Sequence, residues 1–139
     1  MKRKPEDTEK KAKALVGKGL PAGRIDSSIL ETIDYEYQKR AINVEHSFSE
    51  FTCLCPYSDL PDFANIIIVY TPYKKCVELK SLKFYLYSYR QVRIYHEHVV
   101  NKILEDLVSL LSPRYMKVIA EFNVRGGILT ATEAEYKKK

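Results

Sequence analysis

The chain has 139 residues, a formal net charge of +5, 45% hydrophobic residues and three cysteines. That is enough apolar material for one core and too little length for a second domain. The longest apolar run, residues 64–70 (ANIIIVY), is too short to cross a bilayer and the basic N-terminus lacks a secretory apolar segment, so a cytoplasmic protein without membrane contact is expected.

Residues 1–26 are rich in Lys, Glu, Pro and Gly, cannot repay the entropy of ordering, and read as a flexible basic tail. A single domain is expected over residues 27–136, with a basic tail at 137–139. Charge runs at chain ends are usually solvated, so they carry little weight as a nucleic-acid footprint. Over residues 41–48, Ile42, Val44, His46 and Phe48 alternate as in a half-buried strand, PYSDLPD breaks the chain, and NIIIVYTP supplies a second strand. Ser81 offers an N-cap for a helix in which Leu82, Tyr85, Leu86 and Tyr89 recur. Val100, Ile103, Leu104, Leu107 and Leu111 mark a second helix that stops at Ser112 and Pro113. Met116, Val118, Ala120, Phe122 and Val124 alternate in a third strand, RGG turns, and ILTATEA gives a fourth. The order β-β-α-α-β-β describes an α+β unit, a four-stranded antiparallel sheet with two helices on one face. Its exposed sheet edges point to a homo-oligomer.

Three groups of residues could carry chemistry. Cys55 falls at a strand end beside Pro56, with Asp59 and Asp62 within a turn's reach; an odd cysteine count without an export signal means free thiols, and a thiol needs a nearby base or cation to act as a nucleophile. Isolated cysteines are also common as small core residues, and spacing does not choose between Cys53 and Cys55. A C-x-C pair makes no zinc site, so no metal is expected. Glu97 is placed at the border of the second helix's buried stripe, where an inward carboxylate needs either a basic partner in the protein or a ligand with two parallel N–H groups, such as a guanine-like edge; His96 beside it could move a proton. Lys80, Ser81 and Lys83 at a helix start suit phosphate groups, and the absence of G-x-G-x-x-G excludes a Rossmann dinucleotide site.

Together TCLCPYSDLPDFA, VELKSLKFYLYSYR, YHEHVVN and FNVRGGI, in this order and spacing across residues 31–130, resemble the NADPH-dependent 7-cyano-7-deazaguanine reductases of queuosine biosynthesis. The resemblance implies the tunnelling fold, whose units assemble into a multimeric barrel, and a homodecamer of two stacked pentamers with active sites at subunit interfaces. It implies that Cys55 adds to the nitrile carbon as a thioimide-forming nucleophile and that Asp62, aided by His96, is the acid/base. His96 and Glu97, with Val77, Glu78 and Leu79, match the substrate-binding positions; Lys80, Ser81 and Lys83 match the NADPH motif, with Arg125 and Gly126 as a further phosphate contact. The partner is then a small 7-deazapurine rather than nucleic acid. Two positions depart from the pattern: Cys53 stands where Ser or another small residue is expected, as a competing thiol or disulfide partner, and Val124 where Pro is common. An amidine-forming relative acting on the cyano base in tRNA is the nearest alternative, but that group lacks the Lys-rich motif; a basic RNA-binding module is the other.

Overall fold

Alternation decides the sheet. In β3 (Pro61–Thr71), Asp62, Ala64, Ile66, Ile68 and Tyr70 are all buried; in β5 (Tyr115–Arg125), Met116, Val118, Ala120 and Phe122 are. The two strands pair antiparallel with Ala64 opposite Phe122 and Ile68 opposite Val118, so one face of the sheet is continuously apolar and can be covered. The computed structural model, which describes residues 24–139, places β2 (Val44–Leu54) and β6 (Ile128–Lys137) at the edges of this four-stranded antiparallel sheet, in the order β2-β3-β5-β6. Two helices supply the cover, α1 (Leu79–Tyr87) and α2 (His96–Leu111). Val99, Val100, Ile103, Leu107 and Leu111 of α2 and Leu82, Tyr85 and Leu86 of α1 join the sheet residues in one core. This is the α+β architecture expected from the sequence. Among the described residues no helix is long and apolar enough to cross a membrane.

Two bulges set the phase of the residues beyond them. Along β2, Phe48 pairs with Ile66 but Phe51 pairs with Ala64, so three steps on one strand match two on the other. The extra residue turns Phe51 and Cys53 onto the covered face that Val44, His46 and Phe48 began. The β5–β6 hairpin repeats the device: Phe122 pairs with Thr130 and Arg125 with Ile128. Its tip is Gly126–Gly127, both at positive φ (56° and 79°), which only glycine adopts without strain in consecutive positions.

Several elements differ from the sequence reading. The first long strand runs to Leu54 rather than ending at Phe48, because a strict period of two fails at the bulge. A short ribbon of β1 (Thr32–Asp34) with β4 (Lys75–Val77) was unseen, three residues being too few to show a period. The N-cap of α1 is Glu78 and not Ser81: the carboxylate accepts from the N–H groups of Lys80 (2.8 Å) and Ser81 (2.7 Å). Ser81 is instead fully buried, its hydroxyl donating to the Glu78 carbonyl (2.8 Å) and accepting from the Glu31 N–H (2.9 Å). Residues 1–23 of the expected N-terminal tail lie outside the described residues; of its last residues, Ile25 packs against the core and Asp26 caps a 3-10 turn, Ser27–Ile29. Residues 137 and 138 continue the pairing of β6, with Lys137 opposite Tyr115 and the Lys138 N–H donating to Arg114 (3.1 Å).

Ile103 has no exposed surface and sits at the middle of the helix–sheet contact. Truncating it, as Ile103→Ala, removes buried methyl groups where the rigid sheet cannot collapse, and denaturant unfolding is expected to show a loss of about 2–5 kcal/mol.

Candidate active site

One end of the sheet gathers four elements: the end of β2, the start of β3, the end of β5 and the first turn of α2. They enclose a cleft of about 370 Å³. Cys55, Pro56, Tyr57 and Ser58 line it from the β2–β3 loop, Asp62 from β3, Arg125 from β5, and Tyr95, His96 and Glu97 from α2 and its lead-in.

At the bottom lies Asp62, 4% exposed. One carboxylate oxygen accepts from Arg125 Nη1 and the other lies 3.1 Å from His96 Nε2. A buried carboxylate with two such partners on separate elements is satisfied and held in one rotamer. The Asp62 carboxylate also raises the pKa of Arg125 above its ordinary value. His96 is fixed from its other side by stacking on Phe122, with ring centroids 3.7 Å apart and planes 7° apart, and the Thr132 hydroxyl donates to its carbonyl (3.3 Å).

The two candidate thiols are distinguished outright. Cys53 is fully buried, and desolvation, with smaller contributions from Asp62 and Cys55, pushes its pKa up to about 12. Cys55, one residue past the strand, is half-exposed in the cleft. Its pKa is lowered, first by a hydrogen bond from the Ser58 side chain and then by the backbone N–H groups of Ser58 and Tyr57, against smaller opposing pushes from desolvation and then Asp62. Cys55 therefore has the environment of a nucleophile, and Cys53 that of a packing residue, not a competing thiol. All three cysteines are free.

Of the residues singled out from sequence, Cys55, Asp62, His96, Glu97 and Arg125 meet in this cleft. Glu97 corrects the reading made of it: it is exposed at the cleft rather than turned into the core, because the buried stripe of α2 runs through Val99 and Ile103 and leaves Glu97 to one side. Arg125 is committed to Asp62 rather than standing free as a phosphate contact, and Gly126 forms the hairpin turn. Val77, Glu78, Leu79, Lys80, Ser81 and Lys83 are not among the residues lining the cleft. Val77 is buried in the core and Ser81's hydroxyl is occupied, so neither side chain is available to a ligand in this chain, whereas Leu79, Lys80 and Lys83 are exposed. Sequence reasoning missed Ser58 and Tyr57; the short spacing from Cys55 through a proline was the signal that a turn would bring their N–H groups back to the sulfur.

Comparison with known proteins shows the family. The family model described as "QueF-like protein" matches residues 61–139. A protein of Thermoanaerobacter pseudethanolicus is 52% identical over 84% of this chain and 87% of its own length; one of Caldicellulosiruptor bescii is 53% identical over 83% and 88%. A more distant one, of Nitrosomonas europaea, is 48% identical over 81% of each. All three bear the name NADPH-dependent 7-cyano-7-deazaguanine reductase. The crystal structure of an archaeosine synthase QueF-Like in the apo form superposes with a TM-score of 0.62, at 22% identity, covering 71% of this chain and 95% of that one, a likeness of fold. The chain belongs to the QueF-like family. Within it, the chain is similar over most of its length to the NADPH-dependent 7-cyano-7-deazaguanine reductases.

The difference between the thiols is measurable. Limiting iodoacetamide at neutral pH is expected to label Cys55 at least about a hundredfold faster than Cys53, as read by peptide mass spectrometry. Because the Cys55 pKa is lowered, its labelling should reach half its maximum below the pH of an ordinary thiol and decline only as the pH falls through that lower value. Equal labelling of the two would refute the assignment.

Proposed function

We propose that this protein reduces the nitrile of 7-cyano-7-deazaguanine to the primary amine, with NADPH as reductant, in the cytoplasmic biosynthesis of queuosine. The observation that carries the reading is a single one. A half-exposed thiol with a lowered pKa shares a cleft with a buried, doubly held carboxylate and with the exposed Glu97. The relatives' names supply the substrate and the reductant.

A nitrile accepts hydride poorly, and addition of sulfur converts it into a polarised carbon–nitrogen double bond. The Cys55 sulfur bonds to the nitrile carbon, one carbon–nitrogen π bond opens, and the thiol proton reaches the nitrogen through Asp62, giving a covalent thioimide. Asp62 suits this task because Arg125 and His96 fix both of its oxygens, and His96, 3.1 Å away, can replace the proton that Asp62 passes on. When the sulfur leaves again as thiolate, the hydrogen bonds from Ser58 and Tyr57 stabilise it. The first hydride and loss of the sulfur leave an imine, which must be kept from water until the second hydride arrives. The exposed carboxylate of Glu97, which lines the same cleft, can accept the two parallel N–H groups of the pyrimidinone edge. Two protons accompany the two hydrides, and the balance is a nitrile converted to an aminomethyl group.

Lys80 and Lys83, three apart at the start of α1, lie on neighbouring parts of its surface and fit phosphate as point charges. The free N–H groups of that helix start do not add to the site, since Glu78 already uses those of Lys80 and Ser81. When bound there, NADPH would supply one hydride to the thioimide carbon held by Cys55 and, after the sulfur has left, a second NADPH would supply one to the imine carbon.

That group and the cleft do not meet within one chain. We infer that Glu78, Lys80 and Lys83 of one subunit face the Cys55 cleft of a neighbour. The exposed edges β2 and β6 support side-by-side pairing into the multimeric barrel implied by the resemblance, as a decamer.

Purified protein is expected to oxidise two equivalents of NADPH per equivalent of the cyano base, with turnover lost in Cys55→Ala; oxidation that persists in this variant would refute the role of the sulfur. The shared site has a separate test. Inactive Cys55→Ala and inactive Lys80→Ala/Lys83→Ala protein, unfolded together and reassembled, are expected to regain about a quarter of wild-type activity, on random statistics for a two-subunit site. No recovery in mixed oligomers would place the whole site within one chain.

A further inference from the structure

The loop that carries Cys55 is held from outside the cleft by a pair of charges that the chemistry above leaves unused. Asp59 has φ +59°, in the left-handed region that aspartate and asparagine tolerate better than other side-chain-bearing residues. Two contacts hold it. Its N–H donates to the Cys55 carbonyl (2.9 Å), and its carboxylate accepts both arms of the Arg93 guanidinium, Nε to Oδ1 at 2.5 Å and Nη2 to Oδ2 at 3.3 Å. Arg93 is itself anchored beside the nucleophile's strand. Leu54 and Arg93 form an isolated parallel bridge, with the Leu54 N–H donating to Val92 (2.8 Å) and the Ile94 N–H donating to Leu54 (3.1 Å). The loop closes on itself through the Cys55 N–H, which donates to Leu60 (2.9 Å). Its far corner, Asp59, is therefore tied to the residue following Val92, which is bonded to the residue preceding Cys55.

We propose that the Asp59–Arg93 ion pair is a positioning latch for Cys55: it holds the 55–60 loop in the one geometry that trains Ser58 and the Tyr57 and Ser58 N–H groups on the sulfur. The proposal rests on the reading of Cys55 as nucleophile. Both side chains are about half exposed, at 48% and 58%, so such a pair contributes little to global stability, whereas a local loop geometry can depend on it. Neither charge is among the groups that set the thiol. Those facing it are Ser58 and Tyr57 of its own loop, Cys53 of β2, Asp62 of β3 and Arg125 of β5, with His96 and Glu97 of α2 lining the same cleft. Loss of the latch must then act through backbone position.

The test uses the full chain with Asp59→Asn, which keeps a residue tolerant of left-handed backbone while removing the charge, with Arg93→Gln, and with both. The readout is the rate of iodoacetamide labelling at Cys55 as a function of pH, located by mass spectrometry, beside the thermal midpoint. Each single substitution is expected to move the Cys55 profile to higher pH and to slow labelling at neutral pH by up to about fivefold, with the double variant no slower than either single one. The midpoint should move by no more than about 2 °C. Wild-type protein in about 1 M NaCl should approach the variants' profile, since an exposed pair is screened there. An unchanged labelling profile in both single variants, or effects that multiply in the double variant, would overturn the latch. Because labelling needs neither nitrile nor NADPH, a shifted profile in a protein that reduces no nitrile would sink the proposed function and leave the latch standing.

Discussion

The carboxylate of Asp62 is the point on which the cleft depends. It stands near the start of β3, is almost wholly buried, and draws Arg125 from the end of β5 and His96 from the first turn of α2 onto its two oxygens. A lone ionised carboxylate at that depth would be costly to bury, so the three elements cannot separate without exposing or orphaning a charge. The same bonds that keep the sheet end and helix start together also fix the Asp62 carboxylate in the cleft that Cys55 lines, as the proposed acid/base role requires. Structure and chemistry share one set of contacts.

Register brings the other groups to that point. Each of the two flanking strand pairs carries a bulge, one between Phe48 and Phe51 and one between Phe122 and Arg125. Each adds one residue and reverses the alternation beyond it. Without the first, Cys53 would face away from the core; without the second, Arg125 would share the face opposite Phe122. The bulges thus align the odd-numbered residues with the even-numbered Asp62 and Phe122. The result is that two cysteines only two apart have opposite characters, one desolvated with its pKa pushed up, the other just past the strand with its pKa lowered by hydrogen bonds from its own loop.

The start of α1 shows a different division of labour. Glu78 spends its side chain on N–H groups of its own helix, and Ser81 ties that helix to the Glu31 backbone, so a residue expected at the substrate and one expected at a phosphate both build the frame. Lys80 and Lys83 remain at the surface.

By itself the sequence determined the element order and the faces of the long elements, because the alternation of Met116–Phe122 and the helical spacing of Val100–Leu111 each admit only one buried side. It also supplied Cys55, Asp62, His96 and Glu97 as candidates in separate motifs, which only the resemblance to a known family joined into one site. Tertiary structure alone decided what those motifs could not express. The bulges, the short β1–β4 ribbon, the burial of Ser81, the capture of Arg125 by Asp62 and the pairing of Asp59 with Arg93 each join residues distant in sequence, or break a period that sequence reading assumes. The physical reason is that periodicity reports which side of an element is apolar, whereas the pKa of a thiol and the partner of a buried charge are set by whatever the other strands and helices bring within a few ångströms.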